Sequence, residues 1–185
     1  MDTLTIDRTK NWKVDDYLLL CEMNTPCQLI NGELIMSRSP RPLHQIVTGN
    51  LYDVFKSLAR KRGDIVFFAP MDLYIDQKNV FQPDLIYIKK ENRKIVTERG
   101  IEGVPDIVVE VISPSNIFTD RNAKKKLYMK IGVGEFWIVD PANQTLEIYL
   151  PKQADPETPY FFLTDKGKVT STILPALKFS LKVIF

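Results

Sequence analysis

Hydrophobic and polar residues follow each other along the chain in short patterns that predict both helices and strands. Apolar residues spaced three and four positions apart predict helices over residues 13–23 and 44–62. The pair Asn31-Gly32, which stands between two apolar runs, predicts a β-hairpin over residues 28–36. The N-terminal part of the chain is therefore expected to combine helices with a small antiparallel unit.

Further short apolar runs, many bounded by Pro, Gly or Asp, predict the strands of a sheet. The expected strands cover residues 65–69, 71–75, 80–88, 107–112, 135–139, 145–150, 160–164 and 169–172. A Lys-rich helix is predicted over residues 119–131, whereas the charged residues 89–103 favour an exposed loop with a short helical piece, and residues 181–185 a final strand or coil. Without internal repeats or low-complexity linkers, the chain is interpreted as one α/β domain over residues 1–185.

Composition narrows the class of protein only slightly. The 185 residues include 25 basic and 23 acidic residues, a net charge of +2, which neither requires nor excludes nucleic acid. No apolar run reaches the roughly 18 residues of a membrane span, and residues 1–10 lack the core of a signal peptide, so a cytoplasmic location is expected. Cys21 and Cys27, with one histidine in the chain, do not form a zinc-binding pattern.

Two carboxylates within apolar runs are the first sign of chemistry. Glu110 interrupts a β-branched run that is typical of a strand covered on both faces. Asp84 opens a second apolar run after Pro83. An ionised carboxylate is rarely buried without a partner, because its desolvation costs several kcal/mol. Glu110 is therefore expected to meet a cation, which the sequence alone leaves open as a metal, a lysine or an arginine.

Several motifs occur in an order that is specific for one family. They are Gly32-Glu33, His44, Pro83-Asp84, Glu110-Val111-Ile112-Ser113-Pro114-Ser115, Asp120 with Lys124 and Tyr128, and Gly132-Val133-Gly134-Glu135-Phe136-Trp137-Ile138-Val139-Asp140-Pro141. The set resembles the PD-(D/E)-x-K, or restriction-endonuclease-like, superfamily. More closely, it is similar to a prokaryotic family abundant in cyanobacteria, formerly a domain of unknown function and catalogued as putative restriction endonucleases.

This resemblance implies a fold and an activity. The fold would be α/β (α+β): a restriction-endonuclease-like mixed β-sheet core flanked by helices, with an N-terminal hairpin and extra C-terminal strands. The activity would be metal-dependent endonucleolytic hydrolysis of DNA phosphodiester bonds. The chain departs from the superfamily motif at one position, because Ile112 stands where the lysine of Glu-x-Lys would fall.

The resemblance implies that this lysine has moved to the following helix, where Lys124, Lys125 and Lys126 are neighbours. On a helix, Asp120, Lys124 and Tyr128 lie four residues apart on one face. The next two lysines turn away by about 100° and 200°. We therefore expect Lys124 to lie beside the carboxylates.

Phosphodiester hydrolysis requires an activated water and neutralisation of the developing charge, which Mg²⁺ or Mn²⁺ can supply. Asp84 and Glu110 are the expected metal ligands, because Mg²⁺ prefers carboxylate oxygens, and the resemblance adds the carbonyl of Val111. Glu33 would join them or hold a metal-bound water, and Lys124 would orient the attacking water or neutralise charge. Three residues would assist from the periphery of the site, His44 at a proton or phosphate, and Asp120 and Tyr128 behind the ligands.

Each of these residues also has a purely structural interpretation. Asp84, Glu110 and Lys124 could form an ion-pair network without metal, Glu33 could be an exposed turn residue, and His44 and Asp120 could belong to helix N-termini. The lysines could form a solvated face, and Tyr128 could be core. The corresponding alternative function is an inactive nuclease-fold module for binding, for example as a homodimer; a third is a hydrolase of another phosphoester. Basic residues that could contact phosphates are Arg41, Arg60, Lys61 and Arg62.

Overall fold

The computed structural model describes residues 9–21, 27–36, 39–113 and 120–185. Its helices are α1 (Val14–Cys21), α2 (Pro42–Arg62) and α3 (Lys125–Ile131); a π-helical turn (Asp120–Lys124) leads directly into α3. Two 3₁₀ helices cover Lys90–Ile95 and Leu181–Val183. In the described part of the chain, no helix is long and apolar enough to cross a membrane.

Thirteen strands are found among the described residues. They are β1 (Cys27–Ile30), β2 (Glu33–Met36), β3 (Ile65–Phe68), β4 (Leu73–Asp76), β5 (Asn79–Phe81), β6 (Leu85–Ile88), β7 (Ile101–Glu102), β8 (Ile107–Val111), β9 (Glu135–Asp140), β10 (Thr145–Tyr149), β11 (Phe161–Thr164), β12 (Lys168–Thr170) and β13 (Lys178–Ser180). The hairpin prediction is confirmed: β1 and β2 pair around Asn31 and Gly32, which both have positive φ.

The main sheet has six strands in the order β11-β10-β9-β8-β6-β3. It is mixed, because β8 and β9 run parallel while the other neighbours are antiparallel. A second sheet of five strands has the order β2-β1-β5-β4-β7, and β12 pairs with β13. The expected class, a mixed α/β core flanked by helices with an N-terminal hairpin and extra C-terminal strands, is confirmed.

The six-stranded sheet is covered on both faces. On one face, α2 and the C-terminal segment (residues 169–185) pack against side chains such as Val109 and Trp137. On the other face, Val108 and Phe136 contact α3 and the inner side of the five-stranded sheet. This double cover explains why β8 and β9 are buried along their whole length.

The prediction of one strand over residues 80–88 was wrong. The structure divides this stretch into β5, in the five-stranded sheet, and β6, in the six-stranded sheet. The break falls at Pro83, which has no N–H group to continue a strand ladder. Asp84 therefore lies where the chain passes from one sheet to the other.

Smaller differences concern the ends of elements and the charged loop. Residues 89–103 contain the expected helical piece, Lys90–Ile95, but also β7, whose Ile101 is buried and pairs with Leu73. The last residues form a 3₁₀ turn rather than a strand. The predicted end of the first helix at Met23, the predicted helix start at Thr119 and the motif residues Pro114-Ser115 lie outside the described residues.

Candidate active site

Asp84 and Glu110 occupy opposing positions at one end of the central strands. In the antiparallel pairing of β6 with β8, Leu85 lies opposite Val109, so one step further along the same register Asp84 lies opposite Glu110. Directly opposed residues of such a pair point to the same face, with Cβ atoms about 4.5–5.5 Å apart. The register thus places the two residues next to each other, although 25 residues separate them in sequence.

Asp84 is held by the main chain on both sides. Its carbonyl accepts a hydrogen bond from the N–H of Ala69, and its side-chain Oδ2 accepts one of 2.7 Å from the N–H of Val111. Within a strand, the N–H and the C=O of one residue point to the same side. The carbonyl of Val111 is therefore directed to the side of β8 on which Asp84 lies.

His44, in the first turn of α2, approaches Asp84 from the neighbouring layer. Its Nε2 lies 3.3 Å from Oδ2 of Asp84, and its Nδ1 lies 3.4 Å from the hydroxyl of Thr48. Contact with a carboxylate oxygen requires a proton on Nε2, because that oxygen is only an acceptor. Arg41 precedes the helix, and α2, with Pro42 at its first position, begins close to Asp84.

Glu110 is almost wholly buried and accepts two hydrogen bonds at a single oxygen. Lys124 Nζ donates to Oε1 over 3.0 Å, and the hydroxyl of Tyr128 donates to the same atom over 2.8 Å. Glu110, Lys124 and Tyr128 are 2%, 3% and 0% exposed. The lysine also lies 5.9 Å from the ring centroid of Phe81. A buried carboxylate thus has a buried ammonium as its partner, as its desolvation requires.

The three consecutive lysines point in different directions. Lys125 donates to Glu157 over 2.7 Å and lies over the ring of Tyr149, whereas Lys126 is exposed. Lys124 is accordingly the member of the run whose ammonium contacts Glu110.

The remaining predicted residues lie differently. Glu33 is exposed at the start of β2, in the five-stranded sheet. Asp120 begins the π-helical turn, and its side chain is outside the described part of the structure. Among the described residues, no group of three or more His, Cys, Asp and Glu side chains is arranged to hold a metal ion.

Two carboxylates and one carbonyl are nevertheless a suitable oxygen donor set for Mg²⁺. This ion is usually bound by one or two carboxylates, with waters and substrate phosphate completing its shell. Asp84, Glu110 and the Val111 carbonyl are hard oxygen donors at the ends of adjacent strands. The residues present therefore fit a divalent cation of this kind.

The basic end of α2 is remote from this site. A helix of 21 residues spans roughly 30 Å, so Arg60, Lys61 and Arg62 lie at the far end from His44. Arg62 Nε donates to the buried Asp64 over 2.8 Å. Of the four basic residues predicted to contact phosphate, only Arg41 lies at the end of α2 that carries His44.

Other buried acidic residues, which the sequence patterns did not distinguish from site residues, serve the fold. Glu135, part of the Gly-Val-Gly-Glu-Phe-Trp motif, is fully buried and accepts hydrogen bonds from Trp137, Ser171 and Thr172. Glu147 was not singled out either, although Arg121 binds it through two hydrogen bonds. The signal available for both was an acidic residue within a strand of apolar neighbours, the same signal that drew attention to Glu110.

A groove of about 490 Å³ lies elsewhere, between α2 and the C-terminal segment. Its lining includes Asp53, Lys61 and Phe179, but neither Asp84 nor Glu110. Because its walls contain no pair of opposed carboxylates, the strand ends remain the better candidate for chemistry.

Comparison with solved structures identifies the fold. The chain superposes with a TM-score of 0.78 on a crystal structure described as "a putative nuclease belonging to DUF820" from Anabaena variabilis ATCC 29413. The two share 22% sequence identity over 94% of this chain and 97% of the other. The two chains therefore share one mixed α/β fold.

Sequence comparison then gives the family. Residues 14–182 match the model of the family described as "Uma2: Putative restriction endonuclease". Since the match extends over most of the chain, the protein belongs to the Uma2 family. A search of curated proteins finds no match.

Proposed function

We propose that the protein is a metal-dependent endonuclease that hydrolyses phosphodiester bonds of DNA. The observation that carries this proposal is the placing of Asp84 opposite Glu110, with the ammonium of Lys124 on the carboxylate of Glu110. Membership of the Uma2 family supports a nuclease. A cytoplasmic location and a homodimeric assembly stay predictions from the sequence.

Asp84, Glu110 and the carbonyl of Val111 would hold Mg²⁺ or Mn²⁺. When bound, such an ion supplies charge neutralisation at the phosphate and an activated water. Glu33, an exposed residue of the neighbouring sheet, would join these ligands or hold a metal-bound water.

The chain's own residues would perform the remaining tasks. Lys124 brings a fixed positive charge to the carboxylate cluster, where it would orient the attacking water or stabilise charge that develops on the phosphate. His44, with a nitrogen 3.3 Å from Asp84, would hold that carboxylate in place or move a proton at Nε2. Tyr128 would fix the orientation of Glu110 through its 2.8 Å hydrogen bond, and Asp120 is proposed to support the same helix face.

The alternative is an inactive nuclease fold that serves as a binding module. The observation that favours it is the Lys124–Glu110 contact itself, because both side chains are at most 4% exposed and already neutralise each other. A buried ion pair of this kind can be structural.

Cleavage of DNA by isosteric variants separates the two proposals. Supercoiled plasmid and short duplexes would be incubated with Mg²⁺ or Mn²⁺ and the wild type, Asp84→Asn or Glu110→Gln. We expect the wild type to cut and both variants to lose about a hundredfold or more of the rate. Glu98→Gln, at an exposed acidic residue, is the matched control and should cut like the wild type.

Two other outcomes would change the conclusion. Cleavage that survives both substitutions would place the site elsewhere. A folded wild type that cuts neither DNA nor RNA would favour the binding module, and hydrolysis restricted to RNA or to nucleotides would redirect the substrate class.

A further inference from the structure

The helical segment formed by the π-helical turn and α3 is attached to the sheet through two carboxylates that lie in one row. Glu110 of β8 and Glu147 of β10 are both paired with Ile138 of β9, the strand between them. Directly paired residues point to the same face of a sheet, and adjacent strands are about 4.8 Å apart. The two carboxylates therefore project side by side toward α3, with their backbones roughly 10 Å apart.

The two carboxylates are bound in the same way. Glu110 receives the ammonium of Lys124 and the hydroxyl of Tyr128. Glu147 receives the guanidinium of Arg121, through bonds of 2.9 and 2.8 Å, and the hydroxyl of Tyr149 over 2.6 Å. Each acid thus holds one cation from the helix together with one tyrosine.

The two contacts differ in how much geometry they fix. A lysine ammonium is a point charge that can approach a carboxylate from many directions. The planar guanidinium of Arg121 binds both oxygens of Glu147, which sets its direction as well as its distance. The contact of Arg121 therefore defines the helix position more strictly than the contact of Lys124 does.

A third attachment, through Lys125, lies on the same side of the helix as the contact of Arg121. Lys125 lies over the ring of Tyr149, 4.6 Å from its centroid, and its ammonium contacts Glu157. Arg121 and Lys125 are four residues apart and both point toward β10 and its following loop, while Lys124 points toward β8. The rotation of the helix about its axis is accordingly set from the β10 side.

We propose that Arg121 is a positioning residue for Lys124. By binding Glu147, it fixes the turn that precedes α3, so that the ammonium of Lys124 arrives at Glu110. The expected effect on cleavage rests on the proposed endonuclease function. The expected effect on the position of Lys124 does not depend on that function. Arg121 contacts neither Glu110 nor Asp84 among its described hydrogen bonds, and it acts on the site through the helix.

The kinetic test compares two substitutions of Arg121 with a control substitution on α3. In Arg121→Gln, kcat should fall about tenfold to a hundredfold, because a small displacement of a catalytic group has that effect. KM should stay within about twofold of the wild-type value. Arg121→Lys keeps the positive charge but cannot bind both oxygens of Glu147, so it should recover part of kcat. Lys130→Gln, at an exposed residue of α3, should behave as the wild type.

The double variant Arg121→Met with Glu147→Met separates positioning from stability. It removes both charges together, so no buried charge is left unpaired and the protein is expected to fold. If the pair positions Lys124, kcat stays low in this variant at temperatures well below its Tm. A kcat restored to the wild-type value would show that the pair only stabilises the fold, and would overturn the proposal.

Chemical labelling of lysines gives a readout that does not depend on cleavage. Lys124 is 3% exposed and should react slowly with an amine reagent, followed residue by residue by mass spectrometry. We expect severalfold faster labelling of Lys124 in Arg121→Gln and in the double variant, with Lys130 unchanged.

Unchanged labelling of Lys124 in the folded double variant would overturn the proposal, whatever the cleavage rate does. Faster labelling with unaltered kcat would overturn it as well, because the placement of Lys124 would then have no effect on cleavage. A wild type that does not cleave, together with faster labelling in the variants, would refute the endonuclease function and support the role of Arg121 in placing Lys124.

Discussion

The ammonium of Lys124 lies 3.0 Å from Oε1 of Glu110, and both side chains are at most 4% exposed. This contact connects the strand that carries one expected metal ligand with the helix that follows it. It also distinguishes Lys124 from Lys125 and Lys126, which are adjacent in sequence but point elsewhere.

Replacing Lys124 should abolish cleavage, whereas replacing Lys126 should not. In Lys124→Met, loss of the positive charge at the carboxylates should lower the single-turnover rate by about a hundredfold to a thousandfold. Lys126 is exposed, so Lys126→Met should cut at the wild-type rate. Gel-based single-turnover assays at saturating Mn²⁺ measure both, and circular dichroism checks that each variant is folded. An equal loss of cleavage rate in the two variants would contradict the proposed role of Lys124.

Tyr128→Phe removes the hydroxyl but keeps the aromatic ring, and it should destabilise the fold. The hydroxyl donates to the buried Glu110, and a hydrogen bond to a charged group contributes about 1.5–3 kcal/mol. Tyr128→Phe should lower the free energy of unfolding by that amount in urea titrations. Tyr160→Phe is the control, because Tyr160 is 59% exposed and should leave stability nearly unchanged. A loss of equal size in both variants would mean that the contact contributes nothing specific.

Divalent cations should stabilise the wild type against heat. An ion that binds only the folded state adds about 2.7 kcal/mol at one hundred times its Kd, so Tm should rise with Mn²⁺ concentration. Asp84→Asn should reduce this rise because it removes one of the two expected carboxylate ligands. Differential scanning fluorimetry measures the effect, and Asp53→Asn, at an exposed acidic residue of α2, is the control. A rise in Tm that is the same in Asp84→Asn would exclude Asp84 as a ligand.

Asp64 should make stability sensitive to acid. Burial opposes the ionisation of this carboxyl, but hydrogen bonds from Tyr87 and Arg62 outweigh it, so its pKa is lowered from 3.8. A carboxyl whose pKa is lower in the folded state contributes stability above its unfolded pKa and loses it as the pH falls through the folded value. Stability should therefore decrease below about pH 4, and less steeply in Asp64→Asn. Urea titrations from pH 7 to pH 3 test this; equal slopes would contradict it.

Glu135 should matter for folding rather than for cleavage. It is fully buried and accepts hydrogen bonds from Trp137 and from the segment Ser171–Ile173. Glu135→Ala leaves several buried donors unpaired, at about 1–3 kcal/mol each, so the free energy of unfolding should fall by roughly 3 kcal/mol or more. Glu102→Ala, at an exposed position, is the control. Wild-type stability of Glu135→Ala would refute this structural role.

Local sequence was sufficient for much of the fold. The apolar spacing of α2 and the Asn31-Gly32 turn depend on neighbouring residues alone, and both are found where the sequence predicts them. Helical spacing was also sufficient to choose Lys124 among the three neighbouring lysines, because Lys124 and Tyr128 are one turn apart, whereas its place beside Glu110 was expected from the family resemblance. Patterns of this kind are visible in one sequence because their physical cause lies within a few residues.

Long-range pairing could not be found in this way. The importance of Glu147 depends on the register of β9 with β10, and the sequence patterns do not state that Glu110 and Glu147 share Ile138 as a neighbour. The division of residues 80–88 was missed because β5 and β6 are both apolar, and only their partners reveal that they belong to different sheets. Glu135 and Glu110 resemble each other in local sequence, and only their surroundings distinguish a carboxylate that supports the fold from one that is proposed to bind metal.

Because the chain changes sheet at Pro83, the position of the five-stranded sheet helps to set the position of Asp84. Gln82 is tied to that sheet by hydrogen bonds with Gln28 and Asp72, whereas Asp84, two residues later, is bound to Val111 in the other sheet. Only two peptide bonds separate Gln82 from Asp84. A change in the angle between the two sheets would therefore shift the Asp84 carboxylate. A ligand that parts the two layers would in this way change the reach of Asp84 without touching it.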